Sequence, residues 1–317
     1  MQDNVDVCLP AIRKNWEQYW PELVFTLRKL KSSGVRLLFI ANPGNAGDAL
    51  IASASWQLFD MLGLRVSSGR VEDIRCGDFI IAGGGGNLVP LYPATRNVLE
   101  RSLACEVRGL VLLPHTIRGH DDVLQKLDGR FTLFCRDQIG LDHVKVSAPI
   151  VELHLSPDMA LGLDLRALRM RAASRLVRLR ARISLLPRKR RRRYAGWLES
   201  ASRVVPDENG HLLVLRNDIE SLRLFGSRNG DLSGMYGSSF RSRDECDLVS
   251  ARFLQVIDQA KTVTTDRLHV AIASNLLGKP VKLLNNSYGK NHAVVSTFPT
   301  LTALIQCVEN DVTQPAS

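Results

Sequence analysis

The chain has 317 residues, 45% hydrophobic and 23% charged, ordinary proportions for a globular protein and enough length for a sizeable core in each of two domains. Its six cysteines, Cys8, Cys76, Cys105, Cys135, Cys246 and Cys307, form no CxxC pair, which argues against a zinc site or disulfide framework and suits a reducing cytosol. The opening residues lack the basic-then-apolar pattern of a secretory leader, and no stretch reaches the roughly 20 apolar residues of a membrane span.

In chain order, residues 15–30 read as an amphipathic helix with Trp16, Trp20, Leu23, Phe25 and Leu27 as its packing surface. Residues 35–41 form a buried strand running into Asn42-Pro43-Gly44-Asn45-Ala46-Gly47-Asp48, and 49–62 are helical. This Gly-rich turn sits at a strand's carboxyl end, where open α/β sheets bind ligands. It carries neither GxGxxG nor a phosphate-loop GKS/GKT, so no nucleotide site is implied. The glycines suit a tight turn; the paired polar Asn45 and Asp48 suit a ligand.

The pattern repeats. A strand at 78–82 ends in Gly83-Gly84-Gly85-Gly86-Asn87, where successive glycines allow close backbone approach. Strands at 109–113 and 131–135 deliver Pro114-His115-Thr116-Ile117-Arg118-Gly119 and Arg136-Asp137, and 154–160 close the half. A doubly wound sheet gathers such loops along one rim.

The net charge of +10 is concentrated: of 42 basic and 32 acidic residues, 14 and one (Glu199) lie in 165–203, leaving 28 and 31 for the rest. A second α/β half follows. A strand at 211–215 ends in Arg216-Asn217-Asp218, and 246–260 are helical. Residues 264–280, TTDRLHVAIASNLLGKP, read as strand, turn and helix, capped by Thr265 or Asp266 and stopped by Gly278 and Pro280. Arg267 and His269 then fall in a helical first turn, where unpaired N–H groups and the dipole favour an anion. The competing reading is a capped core helix with two surface side chains. A strand at 281–284 releases into Asn285 to His292, and 298–309 are expected to be a closing helix. The expected fold class is α/β, two Rossmann-like domains facing across a cleft: residues 1–164, a basic insertion or linker at 165–203, and 204–317.

The succession GNAGDALI, GGGGNL, LLPHTI, CRD, LSPDMA, LRND, TTDRLHVAIAS and YGKN resembles the polysaccharide pyruvyltransferase family, particularly members acting on bacterial exopolysaccharides. The likeness runs from about Phe39 to His292 outside the basic segment. It implies a GT-B-like arrangement and transfer of a pyruvyl group from phosphoenolpyruvate to a sugar, usually as a ketal across two hydroxyls. Two departures stand out: His115 occupies a position where the family usually has Gln, and the Arg-rich segment is unusually long and basic.

Phosphoenolpyruvate carries a carboxylate and a phosphate, so its site calls for guanidinium forks and helix N-terminal amides. Arg136 from the first half and Arg267 and Lys290 from the second are candidates to hold these charges. Arg216 is a fourth, with a salt bridge to Asp218 as its alternative role. His269 is the candidate general acid, because a histidine titrates near working pH. Asp48 either orients or deprotonates an acceptor hydroxyl or caps the following helix. With catalytic His269, Arg267 and Arg136, the candidate substrate-binding set is Asn45, Gly47, Asp48, Gly84, Gly85, Asn87, Thr116, Arg216, Tyr288 and Lys290. No metal or cofactor is expected.

In the basic segment, Leu165, Leu168, Ala172, Leu176, Leu179 and Ile183 form a narrow stripe at 100° per residue, flanked by arginines, before Pro187 ends the helix. Such a stripe suits a helix lying on anionic lipid. The expectation is an anionic membrane surface bound through 165–193, a lipid-linked glycan acceptor, and a cytoplasmic protein peripheral to the inner face of the plasma membrane. A solvated linker is the alternative, and nucleic acid is not expected, for want of aromatic interleaving. The runner-up function is a GT-B glycosyltransferase using a nucleotide sugar, and the third a surface-binding protein on an inactive fold.

Overall fold

The computed structural model describes residues 15–184, 188–222, 230–234, 240 and 242–309; Cys8 and the helix-ending Pro187 lie outside them. Two parallel sheets face each other. The larger has seven strands: β1 (Leu37–Ile40), β2 (Val66–Ser68), β3 (Phe79–Ala82), β4 (Gly85–Leu88), β5 (Gly109–Ile117), β6 (Phe131–Cys135) and β7 (Glu152–Leu155), in the order β2-β1-β3-β5-β6-β7 with β4 added to the end of β5. The smaller comprises β8 (His211–Val214), β9 (Thr262–Thr265), β10 (Val281–Leu284) and β11 (Ile305–Val308), in simple sequential order.

β1 is buried throughout, and its side chains alternate between two cores: Leu38 and Ile40 join one layer with Ile80, Leu110 and Leu133, while Leu37 and Phe39 face the other. That second core is shared by both halves. It runs from Trp20, Leu23 and Leu27 through the helix α2 (Ala46–Leu62) to Val249, Phe253, Ile272 and Leu283 of the second half. The longer helices are α1 (Pro21–Lys29), α2, α3 (Ala94–Ala104), α4 (Gln138–Ser147), α5 (Leu165–Ala173), α6 (Arg175–Ser184), α7 (Arg188–Ser202), α8 (Arg243–Asp258), α9 (Leu268–Leu276) and α10 (Lys290–Thr297). α2 and α8 lie against each other between the sheets, with Ser53 Oγ 3.1 Å from Ser250 Oγ. Small buried residues on α2, among them Ala49, Ala52, Ser53 and Ala54, allow that approach.

The structure corrects several expectations. Residues 298–309 form a short 3-10 turn and the edge strand β11, because β10 offers an open ladder that Ile305 to Val308 complete. Pro114, His115 and Thr116 belong to β5, whose register against β6 shifts between Leu112 and His115, where Pro114 is accommodated. Phe25 is exposed beneath Lys29, whereas Trp16, Trp20, Leu23 and Leu27 are buried as expected.

Residues 165–203 do not form one helix on a free stripe. The chain turns at Ser174, and α5, α6 and α7 pack against the second half with Leu168, Ala172, Val177, Ala181 and Trp197 inside. The acidic start of α8 explains the docking. Asp244, Glu245 and Asp247 are buried there, and Arg171 bonds to Asp244 (2.9 Å) and Asp247 (2.7 Å), Arg180 to Asp244 (2.8 Å) and Arg190 to Glu245 (2.5 Å). Part of the basic excess is therefore internal charge compensation, since buried carboxylates without partners are expensive. No helix among the described residues is long and apolar enough to cross a membrane.

Candidate active site

β1 is flanked by β2 on one side and β3 on the other, so the larger sheet has its topological switch point between β1 and β3. The loops leaving these two strands open into a cleft of about 810 Å³. The larger sheet lines it with Asn42 to Asn45, Asp48, Gly86, Asn87 and Arg136; the smaller adds Arg216, Asp218 and Glu220 after β8, Arg267 and His269 after β9, and Lys290 after β10. Strand ends of both sheets thus converge on one space.

His269 lies in the first turn of α9, with Arg267 as the capping residue. Its Nε2 stands 3.5 Å from Asp158 Oδ2, an ion-pair distance longer than a hydrogen bond. The same carboxylate oxygen accepts from Arg136 Nη1 at 2.5 Å, and Arg136 Nε donates to Thr116 Oγ1 at 2.9 Å. Burial would raise Asp158, but Arg136 and His269 hold it well below the usual carboxylate range. Asp158 is thus a buried anion tying together the guanidinium of one half and the imidazole of the other. Gly47 makes room for the ring: a Cβ there would fall 2.5 Å from His269 Nδ1.

Asp48 closes a capping box at the start of α2, its Oδ2 accepting from Asn45 N (2.8 Å) while Asn45 Oδ1 accepts from Gly47 N (2.8 Å). Its Oδ1 accepts from Asn42 Nδ2 at 3.1 Å. Burial raises the Asp48 pKa despite the opposing pull of His269, Asn45, Asn42 and Arg136. Because Ala46 N donates to Ser233 O, the amides opening α2 are largely satisfied, and anion attraction falls to α9 and the side-chain cations.

Those cations form a second network. Glu220 takes Lys290 Nζ (2.8 Å), Arg216 Nη1 (2.7 Å), Asn286 Nδ2 (2.9 Å) and, from the first half, Tyr92 OH (3.0 Å). Burial alone would raise Glu220; Lys290 and Arg216 bring it down to about 2. Arg267 bridges Asp218 (2.7 Å) and Asp231, and Arg216 also reaches Asp218 (2.8 Å). Burial brings Lys290 down to about 8, against the pull of Glu220. Arg136 and Lys290 converge over Gly86, where a Cβ would lie 2.6 Å from Arg136 Nη2 and 3.4 Å from Lys290 Cδ. Among the described residues, five cationic side chains, Arg136, Arg193, Arg216, Arg267 and Lys290, line the cleft with four acids, Asp48, Asp218, Glu220 and Asp231. Arg193 has no carboxylate partner among the described residues.

The model of the polysaccharide pyruvyl transferase family matches residues 13–288. The chain belongs to this family. Among solved structures it is similar to an uncharacterised protein from Klebsiella pneumoniae subsp. pneumoniae NTUH-K2044, 26% identical with a TM-score of 0.70 over 92% of this chain and 98% of that one. It is more distantly similar to the UDP-GlcNAc 2-epimerase of Neisseria meningitidis, 10% identical with a TM-score of 0.39 over 87% of each chain. No curated protein matches the chain significantly.

Of the expected site residues, Asn45, Asp48, Asn87, Arg136, Arg216, Arg267, His269 and Lys290 line the cleft of this pyruvyl transferase. The others sit behind it. Thr116 orients Arg136 from within β5; Gly47 seats His269; Gly84 packs on the Pro114 carbonyl, where a Cβ would approach to 2.8 Å; and Gly85, at φ +146, lies beside Asn42. Tyr288 is partly buried, with Lys290 Nζ 5.2 Å from its ring centroid. His115 is wholly buried, its Nε2 accepting from the Asn87 and Leu88 amides at 3.1 and 3.2 Å, so it braces the glycine-rich strand β4. Burial, helped by Arg136, lowers its pKa to about 3 and keeps it neutral.

Sequence reasoning missed Asn42, Tyr92, Asp158, Arg193, Glu220 and Asp231. The signal for Asp158 was present in LSPDMA, whose Asp follows a strand end as Arg136 does. Glu220 and Asp231 lie in a stretch without periodicity, and only their partners identify them.

Proposed function

We propose that this pyruvyl transferase moves the pyruvyl group of phosphoenolpyruvate onto two hydroxyls of a sugar in a lipid-linked precursor of a bacterial surface or exopolysaccharide, at the cytoplasmic face of the plasma membrane. The observation that carries the reading is the placement of His269, in a helical first turn against Asp158, among cations contributed by both halves. A phosphate and a carboxylate suit that cation set and the amides opening α9.

In this scheme His269 delivers a proton to C3 of phosphoenolpyruvate, and C2 becomes electrophilic. One acceptor hydroxyl adds at C2 and loses its proton, with Asp48 or His269 as the acceptor of that proton. The C2–O bond to phosphate breaks and phosphate leaves, stabilised by Arg136, Arg267 and Lys290. The second hydroxyl then adds at C2, loses its proton and closes the ketal. One hydroxyl proton replaces the one used at C3; the other leaves with phosphate. Asp158, 3.5 Å from Nε2, holds the imidazole in place.

Arg193 supports the lipid-linked acceptor. It brings a cation of the basic segment to the cleft wall, suited to a phosphate of the lipid carrier.

The test is phosphate release from phosphoenolpyruvate with a panel of lipid-linked and synthetic hexoside acceptors, wild type against His269→Ala. Acceptor-dependent release, reduced by about 10²–10⁴-fold in the variant, and a product heavier by a pyruvyl ketal are expected. Saturable nucleotide-sugar binding with no phosphate release under any acceptor would overturn the reading in favour of a glycosyltransferase.

A further inference from the structure

The structure splits the apolar stripe of the basic segment into two faces. On α6, Val177 and Ala181 are 4% and 0% exposed and pack inward, whereas Leu176, Leu179 and Ile183 are 57%, 56% and 57% exposed. At 100° per residue these three share an arc of about 60°, centred about 150° from the buried pair. The helix is therefore apolar on two opposite sides, and only one is explained by packing. Met170, 65% exposed on α5, is a further apolar side chain left outside.

The charges divide in the same way. Arg171, Arg180 and Arg190 are engaged by α8, and Arg178 Nε donates to the Ala172 carbonyl at the α5–α6 turn. Arg175 and Arg182, which border one edge of the exposed aliphatic arc, and Arg191 and Arg192 near the start of α7 are exposed and have no carboxylate partner among the described residues.

We propose that the outer face of α6, Leu176, Leu179 and Ile183 with Arg175 and Arg182 beside them, docks on an anionic phospholipid bilayer. The three aliphatics enter the headgroup–acyl boundary while the arginine heads remain among the phosphates. Charge complementarity selects this occupant over a second copy of the chain, since a self-complementary contact here would set arginine against arginine. The aliphatic centre of the patch selects it over a nucleic acid, whose phosphates the arginines would attract equally. The docking deepens the reading of a lipid-linked acceptor by naming the surface that would meet the bilayer, and the next helix, α7, brings Arg193 to the cleft wall.

The docking can fail or hold independently of pyruvyl transfer, because none of the five side chains of the patch lines the cleft. The test is flotation of the full chain with vesicles of phosphatidylcholine alone and of phosphatidylcholine with phosphatidylglycerol. The wild type is expected to float with the anionic vesicles. A triple variant, Leu176→Ser, Leu179→Ser and Ile183→Ser, is expected to lose at least roughly tenfold in partitioning, with its melting midpoint unchanged. Arg175→Gln with Arg182→Gln is expected to weaken binding to the anionic vesicles alone. Equal flotation of the triple variant and the wild type would overturn the proposal, as would a wild type that ignores anionic vesicles or one that sediments as a dimer dissociated by the triple substitution. Activity on a water-soluble acceptor, unchanged in the triple variant, keeps a failure of docking distinct from a failure of the chemistry.

Discussion

The cleft and the basic segment are both built from arginines facing carboxylates, yet the pairs do different work. In the cleft, Arg136 and Asp158 are almost fully buried, and the acids are shared: Glu220 serves Lys290 and Arg216, and Asp218 serves Arg216 and Arg267. Such groups are held in place before any ligand arrives, and an entering anion finds cations already oriented. In the basic segment, Arg190–Glu245 is nearly as enclosed, at 12% and 0% exposed, but the peripheral Arg169–Asp258 pair has side chains 56% and 43% exposed, and water screens most of its attraction. A count of charges in the sequence treats all these pairs alike; burial separates the peripheral pair from the enclosed ones.

The largest expected difference is in stability. Arg136→Met leaves Asp158 buried without its guanidinium and is expected to cost about 3–5 kcal/mol, while Arg169→Met costs no more than about 1 kcal/mol, both read from urea unfolding. Comparable losses for the two would break the contrast. Next is Gly47→Ala, whose added methyl displaces His269; a fall of about 10²-fold in kcat is expected with little change in the affinity for phosphoenolpyruvate.

A smaller effect follows pH. Lys290, brought down to about 8, is cationic below that pH and loses its charge as pH rises through it. The KM for phosphoenolpyruvate is therefore expected to rise roughly several-fold within one pH unit above that value. Lys290→Met should show a raised KM without the inflection, and an inflection that survives the substitution would assign it elsewhere. The smallest effect is at Arg193, where Arg193→Gln is expected to raise the KM for a phosphate-bearing acceptor about threefold to tenfold and leave that for phosphoenolpyruvate unchanged.

Much of the site was legible because it follows strand ends. Residues 42–48, 83–87, 136–137, 216–218 and 267–269 each succeed a recognisable strand, and a parallel sheet places such ends on one rim. Lys290 was legible from its motif. The acids that hold the cations were not, since an ion pair between Lys290 and Glu220 or Arg267 and Asp231 joins residues far apart in the chain and leaves no local pattern. His115 and Thr116 were misplaced as loop residues because Pro114 reads as a strand terminator, whereas β5 passes through it at a register shift.

The basic segment marks the division most clearly. Its charge and its local helical periodicity were determined by the sequence alone, as were most of the alternation of strands and helices before residue 298 and the order of the cleft loops, because each depends on neighbours within a few residues. Which stripe of α6 is buried, which arginines are neutralised by α8, and which glycines must stay small beneath His269 and Arg136 were decided only by the tertiary structure. Burial and ion pairing depend on distances between segments remote in sequence, and those distances exist only once the two sheets have packed around their shared core.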